Sequence, residues 1–258
     1  MGCKLRIIGL LLLSFSYGCK NQGAEKKLKS SASSVLENDF TFFKASGEGW
    51  QLQISEQQIT FSSDALGFES FTTPTTVPIR VADANIKNYR VEVESGTLDI
   101  RIAQGACTDS LMDYEVAIKV KNRADKDFAE FIGCGNYLLN AQTNGIWELS
   151  HLWSQRVFVE HFRGQLPKIE ITTEDKRFAG FGGCNQINGS IFTEQNLIRF
   201  TDIAQTRILC APPNQEEDFL KALRSSTHCS FDGHQLILSN QDHETLRLKK
   251  STNSTTIY

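Results

Sequence analysis

Short runs in which apolar and polar residues alternate with period two leave this chain little choice but antiparallel sheet. Trp50-Gln51-Leu52-Gln53-Ile54 is one such run, and Tyr89, Val91 and Val93 mark one face of another. Leu98 to Ile102 and Tyr114 to Val120 repeat the pattern. Successive strand residues point to opposite faces, so alternation of this kind means one buried face and one wet face. Ser95-Gly96 reads as a hairpin turn, and Pro74 and Pro78 bracket an irregular or edge segment. With 258 residues, 40% of them hydrophobic and 22% charged, the chain can bury real cores, and global disorder is excluded.

The C-terminal half is organised around Phe178 to Cys210. Gly180, Gly182 and Gly183 lead into Cys184-Asn185, and a strand-like run then delivers Thr206-Arg207 and Cys210. Three glycines within four residues predict a tight turn or a close approach to something bulky. Beyond Pro212-Pro213 a helix is predicted, with Asn214 as N-cap and Glu217 at capping-box spacing. Glu216, Glu217 and Asp218 would sit at its positive end, Lys221 and Arg224 in its last turn, and Phe219, Leu220 and Leu223 on its apolar face. Asp232-Gly233 predicts a hairpin before the last strands.

The N-terminus reads as a targeting segment. Lys4 and Arg6 precede an apolar run, Ile7 to Phe15, that is too short for a bilayer span of roughly 20 residues. Gly18-Cys19 closes it. A small residue before a cysteine resembles the bacterial lipoprotein signal, which implies cleavage after residue 18 and acylation of Cys19. A myristoylated Gly2 fits less well, because position 6 holds Arg6 where that motif takes Ser or Thr. Loss of residues 1–18 removes two cations from a net charge of −3, leaving −5. Residues 19–39 are polar and rich in Ser and Lys, as expected of a flexible tether. No basic face points to nucleic acid. By the sorting habit of such lipoproteins, Lys20 after Cys19 implies the outer membrane, on its periplasmic or surface face.

Two resemblances follow from motifs in order. Gly47 and Trp50, Cys107/Asp109/Met112 and Gly133-Cys134-Gly135 make residues 40–139 similar to an uncharacterised β-domain of bacterial envelope lipoproteins. Trp147-x-Leu149, Pro167-x-Ile169-x-Ile171, the Gly180 to Gly189 stretch, Thr206-Arg207-x-x-Cys210 and the acidic helix make residues 145–250 resemble the META, or HslJ-like, domain. The fold expected is therefore mainly β (α+β): two antiparallel barrel- or sandwich-like domains, the second an open barrel with one packed helix, and a polar tail at 251–258. META-like proteins are linked with heat shock, antibiotic tolerance or secretion, which implies envelope maintenance. The fold of secretion pilot proteins is similar, which brings in an inhibitor or pilot that binds a protein, peptide or lipid in the barrel groove.

Seven cysteines are present; Cys3 would leave with the signal and Cys19 would carry lipid. The economical pairing of the rest in an oxidising compartment is Cys107–Cys134 and Cys184–Cys210, with Cys229 free; a bond from Cys229 to Cys184 or Cys210 is the competing scheme. Catalytic signals are weak. The glycine cluster lacks the Gly-Lys-Ser/Thr ending of a phosphate loop, no Gly-x-Ser-x-Gly occurs, and the five histidines show no ligand spacing. Asp109 and Asp113 read as loop charges. Asn185 and Arg207 are the candidate structural or binding residues, expected to hydrogen-bond across the sheet and order the disulfide loop. The expectation is a protein with no catalytic activity, no metal and no cofactor, partnered by the membrane through Cys19.

Overall fold

The period-two runs become strands with one face dry. In the computed structural model, Trp50, Leu52 and Ile54 are buried while Gln51 and Gln53 between them are exposed. Tyr114, Val116, Ile118 and Val120 are buried with intervening Glu115 and Lys119 facing water. The structure describes residues 40–64, 70–81, 84–105, 107, 112–162, 164–195 and 197–251. The expected signal, Cys19, the tether, Asp109 and the tail beyond residue 251 lie outside the described residues.

The first sheet contains β1 (Thr41–Gly47), β2 (Trp50–Ser55), β3 (Gln58–Ser63), β4 (Ser70–Pro74), β5 (Ile79–Val81), β6 (Ile86–Val93), β7 (Gly96–Gln104), β8 (Tyr114–Asn122) and β9 (Ala129–Tyr137). Its order is β4-β3-β2-β1-β9-β8-β7-β6-β5, antiparallel throughout, so two strands adjacent in sequence, β4 and β5, form its two edges. Pro74 ends β4 on that edge, where a missing N–H costs no ladder bond. The β6–β7 turn falls on Glu94-Ser95, with Gly96 already paired to Val93. Its core gathers Phe43, Leu52, Ile59, Tyr89, Ile100, Val116 and Tyr137.

The second sheet contains β10 (Gly145–Leu152), β11 (Gln155–Arg156), β12 (Lys168–Thr172), β13 (Arg177–Phe181), β14 (Gln186–Glu194), β15 (Leu197–Gln205), β16 (His228–Asp232), β17 (Gln235–Ser239) and β18 (Glu244–Lys250). Pairing of β10 with β18 rolls it into a barrel. The seam between β15 and β16 is thin, with Leu197 opposite His228 as its one ladder pair. Helix α1 (Glu216–Ser225) lies in the chain between these strands. Its Phe219, Leu220, Ala222 and Leu223 are buried in the barrel core with Trp147, Ile169, Phe200 and Leu248. The expected class, mainly antiparallel β with a single packed helix, is the fold observed among the described residues. Between the sheets a short 3-10 turn, Ala141–Thr143, is capped by Asn140 Oδ1, which accepts from Gln142 N at 2.9 Å.

Two details differ from the sequence expectation. The strand expected to run to Pro212 stops at Gln205: the ladder with β14 ends at Ile187–Gln205, Thr206 N makes one last bond to Gln186 O at 3.0 Å, and Ile208 N turns to the Asn185 side chain instead. Asn214 does accept from the helix start, Glu216 N to Oδ1 at 2.8 Å, but Glu217 closes no capping box. Asn214 Nδ2 donates to Gly183 O at 3.2 Å, tying the cap to the glycine stretch.

Candidate functional site

The glycine stretch, the loop after β15 and the start of α1 meet at one buried carboxylate. Glu216 is 7% exposed, although it stands in the first turn of a helix where an acid would ordinarily face water. Its Oε1 accepts from Cys184 N (3.1 Å) and Asn185 N (2.6 Å), and its Oε2 accepts from Asn185 Nδ2 (2.7 Å). Three N–H donors compensate the loss of hydration that would otherwise forbid a carboxylate there. The close approach explains a glycine: a Cβ on Gly182 would stand 2.7 Å from Glu216 Oε1. Gly183 is needed for its backbone, with φ +115°.

Asn185, 3% exposed, joins this carboxylate to the loop beyond β15. Its Oδ1 accepts from Ile208 N (2.7 Å) and Thr206 Oγ1 (2.9 Å), while Nδ2 also reaches Ile208 O at 3.4 Å. Cys184 and Cys210 are disulfide-bonded beside it, with Cα atoms 6.0 Å apart. Cys107 and Cys134 form the second bridge, with Cα atoms 5.9 Å apart. Cys229 is free, and burial against the barrel core pushes its thiol up to about 11.

Arg207 departs from expectation. It is exposed on the loop and supplies none of these bonds; Thr206 and the Ile208 backbone do the ordering. The reason is geometric: with the strand ended at Gln205, residue 207 projects from a loop and no longer crosses the sheet. Glu216 is the residue sequence reasoning missed as a bonding partner, having been read as one of three dipole charges. The sulfurs of Cys184 and Cys210 and the Glu216 carboxylate lie within 4.8 Å of one another. As a disulfide the sulfurs offer no thiolate, and both carboxylate oxygens already hold donors. A cleft of about 490 Å³ opens alongside, lined by Gln205, Ile208, Leu220 and Arg224 among others.

A second polar cluster joins the two sheets. Lys87 sits on the inward face of β6, in phase with Tyr89 and Val91, and its side chain is 4% exposed. It pairs with Glu194, which ends β14 of the second sheet, and its Nζ donates to Tyr137 Oη at 3.0 Å. The ammonium also lies 4.6 Å from the centre of the Tyr137 ring. Burial lowers the Lys87 pKa, and the bond to Glu194 opposes that shift. The same burial pushes Tyr89 and Tyr114 up to about 12 and Tyr137 higher still.

Comparison with known proteins bears on the second sheet. Residues 140–253 match the family described as META domain. No curated protein matches the chain. Among solved structures the chain is similar to one described as an NMR structure of the protein from Burkholderia xenovorans, with 25% identity and TM-score 0.35. That match covers 43% of this chain and 83% of the other. Another, described as an NMR structure of the protein, shows 20% identity and TM-score 0.34 over 42% of this chain and 89% of its own.

Proposed function

We propose that this protein is a lipid-anchored component of a bacterial-type cell envelope, held by Cys19, with a structural, stress-related or binding role and no catalytic activity. What carries the reading is that the stretch richest in reactive residue types is committed to internal bonds. Asn185 and Glu216 satisfy one another and the loop, and Cys184 and Cys210 are joined. Such a clasp stabilises a barrel. The match to the META domain agrees with an envelope role, and two disulfides suit an oxidising compartment. Metabolic labelling with palmitate tests the anchor: the wild-type chain takes up label and Cys19→Ser does not. Label retained by Cys19→Ser would sink it. Turnover by the purified chain of any substrate in a panel of esters, peptides and glycosides would overturn the non-catalytic part.

A second reading is an inhibitor or pilot-like module that binds a protein, peptide or lipid. The face of α1 turned to the barrel is packed, so the site favoured is the cleft beside the clasp. Ile208, 55% exposed, lines it, and neighbouring Leu209 is 95% exposed. A stoichiometric partner from envelope extract, retained by a Cys19→Ser chain and lost on adding Leu209→Asp, supports this reading. No partner at micromolar concentration removes it.

A further inference from the structure

The contact between the two sheets is built as a receptor and its occupant. The receptor side belongs wholly to the first sheet. Lys87 is a cation on the inward face of a strand, where an unpaired ammonium would be strongly unfavourable. Tyr137 Oη receives one of its three donors and the Tyr137 ring shields it, so it needs an anion to complete its surroundings. The occupant side is the tip of the β14–β15 hairpin. Glu194 supplies the carboxylate, and Gln195 beside it bonds twice to the first sheet: Nε2 to Tyr89 Oη at 2.9 Å and Oε1 from Arg80 Nη2 at 3.4 Å.

Two observations say that the hairpin tip suits this contact. Glu194 is the last residue of β14, on the side of that strand turned away from the barrel core, so it serves nothing in its own core. Gln195, whose φ of +59° is what the two-residue turn between paired Glu194 and Leu197 asks for, follows it at the tip. A cleft of about 310 Å³ remains next to the tip, lined by Phe42, Thr76, Val77, Arg80 and Gln195, with Glu56 at its wall. Thr76 Oγ1 in that lining is buried and has no hydrogen-bond partner among the described residues. The tip therefore fills the charged part of a larger recess and leaves an apolar part with an unused hydroxyl.

We propose that the Lys87–Tyr137 recess of the first sheet is a recognition site for the carboxylate of an acidic peptide segment, and that Glu194 of the chain's own hairpin occupies it as an internal competitor. The ammonium and the tyrosine hydroxyl select a carboxylate, Arg80 and Tyr89 select an amide-bearing neighbour, and the apolar cleft takes the flanking side chain. This goes beyond the anchored-protein reading and stands or falls independently of Cys19.

The test uses the full-length chain with Glu194→Ala and Gln195→Ala, which empties the recess. The probe is a cyclised peptide copying residues 192–197 of this chain, compared with its Glu-to-Gln analogue by calorimetry. The emptied chain is expected to bind the Glu peptide at least ten-fold more tightly than the Gln analogue. Adding Lys87→Met abolishes that preference, and the wild-type chain binds at least ten-fold more weakly because its own hairpin competes. Equal binding of the two peptides by the emptied chain, or a preference that survives Lys87→Met, overturns the proposal. If the double variant is unfolded by circular dichroism, the isosteric Glu194→Gln chain takes its place. Failure of that chain to fold as well assigns the pair to the fold itself and overturns the proposal equally.

Discussion

Glu216 and Glu194 are both drawn out of water, and they are satisfied in opposite ways. Glu216 is held by three neutral N–H donors from within its own barrel, 31 and 32 residues away in sequence. Glu194 is held by a cation from the other sheet, 107 positions away in sequence. The first arrangement locks one barrel's loops together. Nothing outside that barrel can relieve it, because every donor is backbone or Asn185. The second depends on two sheets staying in contact, and any other carboxylate reaching Lys87 would serve it as well. On our proposal the second acid is open to exchange, whereas the first belongs to the fold.

The largest effect should come from breaking the first. Glu216→Ala leaves Cys184 N, Asn185 N and Asn185 Nδ2 facing an empty pocket, each unsatisfied donor costing about 1–3 kcal/mol. Partial access of water from the adjoining cleft reduces the sum to about 4 kcal/mol. Urea denaturation should show that loss, and Glu216→Gln, which keeps one acceptor oxygen, should lose about half as much. A loss below about 1 kcal/mol for Glu216→Ala would mean that the clasp does not hold the barrel.

The disulfides sharpen the same contrast, since their loops are nearly equal at 26 and 27 residues. Chain entropy gives each about 3.5 kcal/mol. Replacing Cys184 and Cys210 by alanine should cost more than replacing Cys107 and Cys134, because the first bridge adjoins the Glu216–Asn185 network. A double-mutant cycle with Glu216→Gln should show coupling for the first pair and additivity for the second. Coupling of equal size in both would erase the distinction.

Lys87→Met breaks the other cluster. Glu194 keeps 16% of its side chain exposed and can turn to water, so the loss should be about 1–2 kcal/mol, below the figure for a fully enclosed pair. Adding Glu194→Gln should recover most of it, since removing both charges leaves neither stranded. A loss that the second substitution deepens would show that the sheets are joined by something other than this pair.

Much of the fold was legible because burial on one face writes itself into a period of two, as in Trp50 to Ile54 and Tyr114 to Val120. The glycine cluster was legible as a close approach, and Gly182 does pass a bulky group. The identity of that group was not legible. Glu216 sits in a run of three acids, and nothing local separates the one that turns inward from the two that face water. Arg207 misled for the converse reason: its register assumed a strand that Asn185 terminates two residues earlier. Lys87 did carry a signal, a cation in phase with Tyr89 and Val91, but its partner lies at the tip of a distant hairpin and leaves no trace nearby.

The smallest effect at neutral pH, and the most specific to the second cluster, lies in the tyrosines around Lys87. In the unfolded chain a phenol ionises near 10, whereas burial holds Tyr89 and Tyr114 protonated up to about 12 and Tyr137 beyond that. Between those limits the folded state binds more protons than the unfolded one, so stability falls as pH rises above about 10 and is untouched below it. Lys87 works in the opposite sense: its lowered pKa means stability is gained as pH rises toward 10.5. Phenolate absorbance near 295 nm should therefore show a late component, absent in urea, that appears together with loss of structure. In the Glu194→Ala, Gln195→Ala chain the recess admits water, and the Tyr89 and Tyr137 part of that component should move toward 10 while Tyr114 moves less. If instead all three stay late when the hairpin tip is removed, the recess is closed by the first sheet alone, and Glu194 is a guest at its surface.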